Sequence, residues 1–209
     1  MIYMKKTFIL MVLIIHQLAG APHLCAQSFQ RLGPNYFAAG ITSIEFYAVG
    51  EIDRQKCPEW CWAASCQMIL NYHGLYVSQD QIVNKIFGSL ECQAGSPDDI
   101  LNALTGWAPD VRGRFSEVYS EAGISSPAEI VRNLIYKWPL LVCLSNGDGT
   151  GHAEVMTGIY YSVDAYNNPI VDKVVLRDPW PLNPSRQEMS WVEFVSRVTA
   201  IVKVWVVRT

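Results

Sequence analysis

Charge is scarce in this sequence: Asp, Glu, Lys and Arg make up 17% of 209 residues, with 16 basic against 19 acidic side chains. That balance leaves no basic patch for a phosphate backbone, which argues against nucleic acid as a partner. Long apolar runs are also missing. The run at 8–15 is shorter than the ~20 residues a membrane-spanning helix needs, and no second hydrophobic span, internal repeat or low-complexity tract follows it. Histidine is rare, with four in all, and none of the six cysteines forms a CxxC pair. A zinc cluster of Cys57, Cys61, Cys66 and Cys92 therefore lacks the usual ligand spacing. No metal or cofactor is expected.

What the N-terminus does contain is an export pattern. Lys5 and Lys6 precede the apolar run, and small residues lead to Leu24-Cys25-Ala26, the order of a signal peptide with cleavage after Ala26. Leu24 stands where a lipobox needs a small residue, so Cys25 leaves with the signal. The remaining chain has 14 basic and 19 acidic residues, net −5. The expected organisation is a signal peptide over 1–26, an N-terminal extension with a strand at 44–49 over 27–54, and one compact domain over 55–209. An exported protein, periplasmic or secreted and without stable membrane insertion after cleavage, follows from that reading.

Two textures divide the domain. From Cys61 to about Lys137 the pattern is helical, and three helix starts carry capping chemistry: Ser78 with Gln81, Ser96-Pro97 with Asp99, and Ser126-Pro127 with Glu129. The first helix of this half is expected over 61–73, ending at Gly74 in the left-handed position. Beyond Leu140, β-rich runs at 140–144, 152–161, 173–177 and 200–207 are separated by turn formers such as Asn146-Gly147-Asp148-Gly149. Helices followed by strands predict an α+β fold with segregated layers.

The stretch from Gln55 to Cys61 carries the chemistry. It sets an amide side chain one short loop before a cysteine at a helix N-terminus, where the helix dipole favours a thiolate. Gln55 and the Cys61 backbone N–H are candidate donors to an oxyanion. A cysteine nucleophile needs a base, and once the signal is removed only His73 and His152 remain. His73 sits twelve residues along the same helix, about 18 Å away at 1.5 Å per residue, and is excluded. His152 follows a glycine-rich turn and opens a strand, which leaves it the only reachable base. Asp178 ends another strand before Pro179-Trp180 and is the candidate to orient the imidazole, with Trp180 shielding the pair from water.

In this order, Gln55, Cys61-Trp62, His152 and Asp178 with Trp180 two residues on, the chain resembles the papain-like cysteine peptidases. The wording Trp60-Cys61-Trp62-Ala63-Ala64 is closest to compact bacterial members such as the staphopain-like peptidases. The resemblance covers about 55–207. It implies a helical N-terminal half packed against an antiparallel β-sheet or barrel half, with the active-site cleft between them. It also implies a Cys61-His152-Asp178 triad, Gln55 at the oxyanion hole, and Trp62 and Trp180 in support. By the same likeness Cys57 and Cys92 are the disulfide pair that ties the nucleophile loop to a downstream loop. Cys66 and Cys143 are expected as small buried residues. The separations from Cys61 to His152 and Asp178 are shorter than in plant and lysosomal members, and the third member is Asp where many relatives have Asn.

The implied activity is hydrolysis of peptide bonds through a thioester, by a monomer acting on a protein or peptide substrate. The same triad also serves deamidation, transamidation or cleavage of cell-wall peptides, and a non-enzymatic binding protein on this fold is the third alternative. The segments 88–98, 107–121 and 161–172 are expected to line the cleft.

Overall fold

A computed structural model describes residues 29–42, 46, 54–107 and 116–208. The expected signal over 1–26 lies outside the described residues. So does the expected strand at 44–49, apart from Phe46, which is buried and whose N–H reaches the Thr42 carbonyl at 3.2 Å, a helix-type bond and not a strand pair. The N-terminal extension instead contributes a hairpin, β1 (Phe29–Gly33) and β2 (Tyr36–Gly40).

The helical half begins with α1 (Cys61–Tyr72), buried without interruption from Trp62 to Leu70. A helix enclosed on all sides draws its stability from burial more than from an amphipathic stripe, at roughly 1.5–3 kcal/mol for each large apolar side chain. It stops at His73, and Gly74 follows at φ 84°. Next come α2 (Gln79–Phe87) and α3 (Pro97–Leu104), then α4 (Pro127–Ile135) after β3 (Ser116–Gly123). All three expected capping boxes are formed, at Ser78/Gln81, Ser96/Asp99 and Ser126/Glu129.

The strands β4 (Leu140–Ser145), β5 (Gly151–Val163), β6 (Pro169–Arg177), β7 (Arg186–Ser190) and β8 (Val198–Arg208) complete one antiparallel sheet, and α5 (Trp191–Arg197) lies between the last two. Its main path runs β1-β2-β5-β4-β8-β3, with β6 pairing β5 and β7. The 13-residue β5 is the hub. Its first half pairs with β4, its second half with β2, and its far edge with β6.

Strand alternation sends side chains to two cores. Ala153, Val155, Leu141, Val202 and Val204 pack with α1, α2 and α3. Leu140, Val142, Leu144, Met156, Ile159 and Ile201 pack on the other face with α4 and α5. The α+β architecture of a helical half against an antiparallel sheet is therefore present. One element sits differently from the sequence texture: α4 reads as part of the helical half, yet it covers the opposite face of the sheet from α1.

Candidate active site

Cys61 is the first residue of α1, and its N-cap, Trp60, offers no side-chain acceptor to the first turn. The leading N–H groups of a helix have no intrahelical partner, so this end presents donors beside a partly exposed thiol. The preceding loop is held by the Cys57–Cys92 disulfide, whose Cα atoms are 5.9 Å apart. Two indoles reinforce it: Trp60 Nε1 donates to the Glu91 carbonyl and Trp62 Nε1 to the Gln93 carbonyl. Gly95 lies flat on Trp62, where a Cβ would come within 2.6 Å of the ring. Trp62 thus packs between the Gln93–Gly95 segment and the helix that Cys61 opens.

His152 enters from β5. Leu144 pairs with it across the sheet, and Ser65, one turn beyond Cys61, donates its hydroxyl to the neighbouring Ala153 carbonyl at 2.9 Å. That buried bond pins the nucleophile helix to the histidine strand. The imidazole lines the same groove as Cys61 and couples to it electrostatically, and its Nε2 lies 2.7 Å from Asp178 Oδ1, which leaves Nδ1 as the other ring nitrogen.

Asp178 follows β6 and is buried, with four donors converging on it. Besides His152, the Trp180 N–H donates to Oδ1 at 2.8 Å, and Asn183 Nδ2 and Gln187 Nε2 donate to Oδ2 at 2.6 and 2.8 Å. Burial opposes its charge, but the hydrogen bonds from His152, Asn183 and the Trp180 N–H prevail and hold the carboxyl below its ordinary range. Burial likewise opposes a charged imidazole, yet Asp178 and then Cys61 raise His152 to about 10. The pair therefore favours an imidazolium over a carboxylate.

Gln55 is buried and tied to the Asp178 loop, with its N–H donating to the Pro179 carbonyl at 3.0 Å. Arg54 donates to the carbonyls of Asp178 and Asn183. The Gln55 amide nitrogen donates to the carbonyls of Cys57 and Pro58 at 3.0 and 2.8 Å, while its Oε1 is buried without a hydrogen-bond partner. In this conformation both amide hydrogens are engaged within the loop. Below it, Gln79 Oε1 accepts from the Lys56 N–H and Gln79 Nε2 donates to Gln67 Oε1.

These residues open onto a groove of about 740 Å³. Pro58, Trp62 and Ala94-Gly95 form one side, Cys143 to Asn146 and Gly149 to His152 the other, with Trp180 and Asn183 at the rim. Of the three segments expected to line it, 88–98 contributes Ala94, Gly95 and Pro97. No described residue of 107–121 or 161–172 takes part, because β3 lies at the far edge of the sheet and β5 carries the start of 161–172 away from the cleft. Cys143 departs from its expected burial. It lines the groove, half-buried, with its thiol pushed up to about 11 by burial and then by Cys61, whereas Cys66 is fully buried as expected.

No motif in the sequence marks Ser65, Asn183 or Gln187, and only strand alternation marks Glu154. The last is two residues past His152 on β5, with Oε1 4.0 Å from His152 Nε2. Its signal is the period of two along a strand already expected to carry the base. Ligand atoms of His152, Glu154 and Asp178 fall within 4.8 Å of one another, but Asp178 is saturated with donors and a cation would have to part it from His152. The four-cysteine zinc arrangement is excluded by the Cys57–Cys92 bond.

The model of the Peptidase_C39 like family matches residues 46–206, spanning the Gln55 loop, Cys61, His152 and Asp178. The chain belongs to the Peptidase_C39 like family. This is a cysteine peptidase family, and the match covers both walls of the groove. No curated protein matches the chain. Among solved structures, it is similar to a double glycine motif protease from an AMS/PCAT transporter in complex with the leader peptide. That likeness has 14% identity, a TM-score of 0.46, and coverage of 72% of this chain and 87% of the other. It is also similar to a procathepsin B from Trypanosoma congolense, at 11% identity, TM-score 0.48, and 82% and 77% coverage. A periplasmic domain of the EpsAB fusion protein of the Vibrio vulnificus type II secretion system aligns at 16% identity, TM-score 0.31, and 60% and 45% coverage. Among the described residues, no helix of this Peptidase_C39 like protein is long and apolar enough to cross a membrane.

Proposed function

We propose that this protein is an exported papain-like cysteine peptidase that hydrolyses peptide bonds through Cys61, His152 and Asp178. The observation that carries the reading is that Cys61 and His152 line one groove, with His152 hydrogen-bonded at 2.7 Å to the buried Asp178. In the first half-reaction the Cys61 sulfur, having given its proton to His152, attacks the substrate carbonyl carbon. The oxyanion is met by the Cys61 backbone N–H and by Gln55, which turns one amide hydrogen from a loop carbonyl toward it. The C–N bond then breaks as His152 passes its proton to the leaving amine. In the second half, His152 takes a proton from water as the oxygen attacks the thioester, and returns it to the departing sulfur. Asp178 keeps the imidazole in the tautomer and orientation both steps need, with Trp180 covering the pair.

Residues 1–26 act as the signal for export in this reading, 55–209 form the catalytic domain, and the enzyme works as a monomer without a cofactor. The Cys57–Cys92 disulfide supports an oxidising destination, periplasmic or secreted. The test is to incubate protein purified from the culture or periplasm with casein and with peptidoglycan, with and without a thiol-directed epoxide. Epoxide-sensitive cleavage of casein is the expected result. Release of peptidoglycan peptides alone moves the protein to cell-wall amidase chemistry. No cleavage of either, with Cys61 alkylated no faster than Cys143, would overturn the enzyme reading.

A further inference from the structure

A second carboxyl lies directly behind the His152-Asp178 pair. Glu154 shares a face of β5 with His152, and Asp178 comes next after Arg177, the β6 residue opposite Val155, so the two carboxyls are cross-strand neighbours. Glu154 is 4% exposed, and its Oε2 is buried with no hydrogen-bond partner. Its other oxygen is 4.0 Å from His152 Nε2. The charged groups bearing on it are Asp178 from the loop after β6, His152 on its own strand, and Arg197 from the end of α5.

Two carboxylates cannot share a buried site cheaply, and the one with fewer hydrogen bonds keeps its proton. Asp178 has four donors, so the proton belongs to Glu154. Burial, and then the Asp178 charge, raise Glu154 to about 7, with His152 and Arg197 acting in the other direction.

We propose that Glu154 is a positioning residue of the active site that is protonated in the form best suited to acylation, and that its ionisation strengthens the hold on the His152 proton and slows its delivery to the leaving amine. The inference rests on the peptidase reading for its consequence, though not for its geometry. As pH rises, Glu154 loses its proton within 4.0 Å of Nε2, and a new negative charge stabilises the imidazolium. The Cys61-His152 ion pair then survives to higher pH, but its proton is harder to pass on.

The test compares wild type with Glu154→Gln and Glu154→Asp in the full chain. It uses pH profiles of kcat/KM on casein-derived peptide, pH profiles of Cys61 alkylation by iodoacetamide, and NMR titration of the His152 imidazole. Wild type should show an ionisation near pH 7 in each. Glu154→Gln should lose it, and its imidazolium should deprotonate at a pH lower by about one unit or more. Glu154→Asp should keep an inflection. A Glu154→Gln profile superimposable on wild type overturns the proposal, since a packing role would leave these titrations unmoved. If no variant cuts peptide, the peptidase reading falls while alkylation and imidazole titration still decide Glu154. If Glu154→Gln does not fold by circular dichroism, the ¹³C carboxyl titration of Glu154 in wild type decides. A midpoint near 7 supports the proposal, and one near the ordinary 4.5 sinks it.

Discussion

The wall of the cleft that carries Cys61 is held by separate ties, each between one pair of residues, whereas the wall that carries His152 and Asp178 is held by strand register and by hydrogen bonds that converge on one buried carboxylate. On the first wall a disulfide across 35 residues and two indole hydrogen bonds fix the loop that leads into α1. On the second, the β5–β6 register brings position 152 to position 178, and side chains from 183 and 187 complete the carboxylate's shell. Separate ties tolerate the loss of one member. A network that converges on one buried carboxylate does not tolerate loss of its centre, because that leaves several polar partners unpaired at once.

The sharpest way to break the comparison is at the chemistry itself. Cys61→Ala and His152→Ala should each lower kcat/KM at least about 1,000-fold, since members of such a unit act together. Their far-UV circular dichroism should match wild type. Equal losses on the two walls would show that their difference concerns assembly and not catalysis.

Asp178→Ala should have the largest effect on stability, about 3–5 kcal/mol in urea unfolding, because it strands the imidazolium and removes the acceptor of the Trp180 N–H and of the Asn183 and Gln187 amides. A loss below 1 kcal/mol would mean that the second wall is as forgiving as the first.

That wall also predicts a pH slope. His152 rises from 6.5 to about 10 on folding, so the folded state holds the extra proton between those values. Its stabilising contribution is complete below pH 6.5 and is lost as pH climbs through about 10. Thermal melts of wild type should decline across that window, and His152→Ala should lack that share of the decline.

On the first wall, replacing Cys57 and Cys92 by Ser should remove about 2–4 kcal/mol, read as a lower melting temperature, with activity at low temperature largely kept by the indole bonds. The smallest effect belongs to Ser78→Ala, about 1 kcal/mol from one lost cap, with kcat/KM unchanged.

What could be read from the chain follows the reach of each pattern. Capping boxes span four residues, so all three helix starts were legible, as were the strands around Leu140, His152, Lys173 and Ala200. The hairpin at Phe29–Gly40, β3, β7 and α5 were not. Tyr119 and Val192, for example, are exposed, and edge elements of that kind carry weak hydrophobic periodicity. Cys143 and Cys66 were both expected to be buried, yet one lines the groove and the other is enclosed, because strand facing and helix facing are tertiary facts.

By itself, the sequence determined that a cysteine opens a buried helix, that a single histidine is within reach of it, and that an aspartate before Pro-Trp ends a later strand. These follow from bond lengths, helix rise and capping chemistry, which act over a few residues. Only the tertiary structure decided that both Gln55 amide hydrogens rest on loop carbonyls, that Asp178 collects four donors, and that Glu154 sits beside them with one carboxyl oxygen buried and unpaired. Hydrogen-bond satisfaction and desolvation depend on every group within a few ångströms, and only folding brings those groups together.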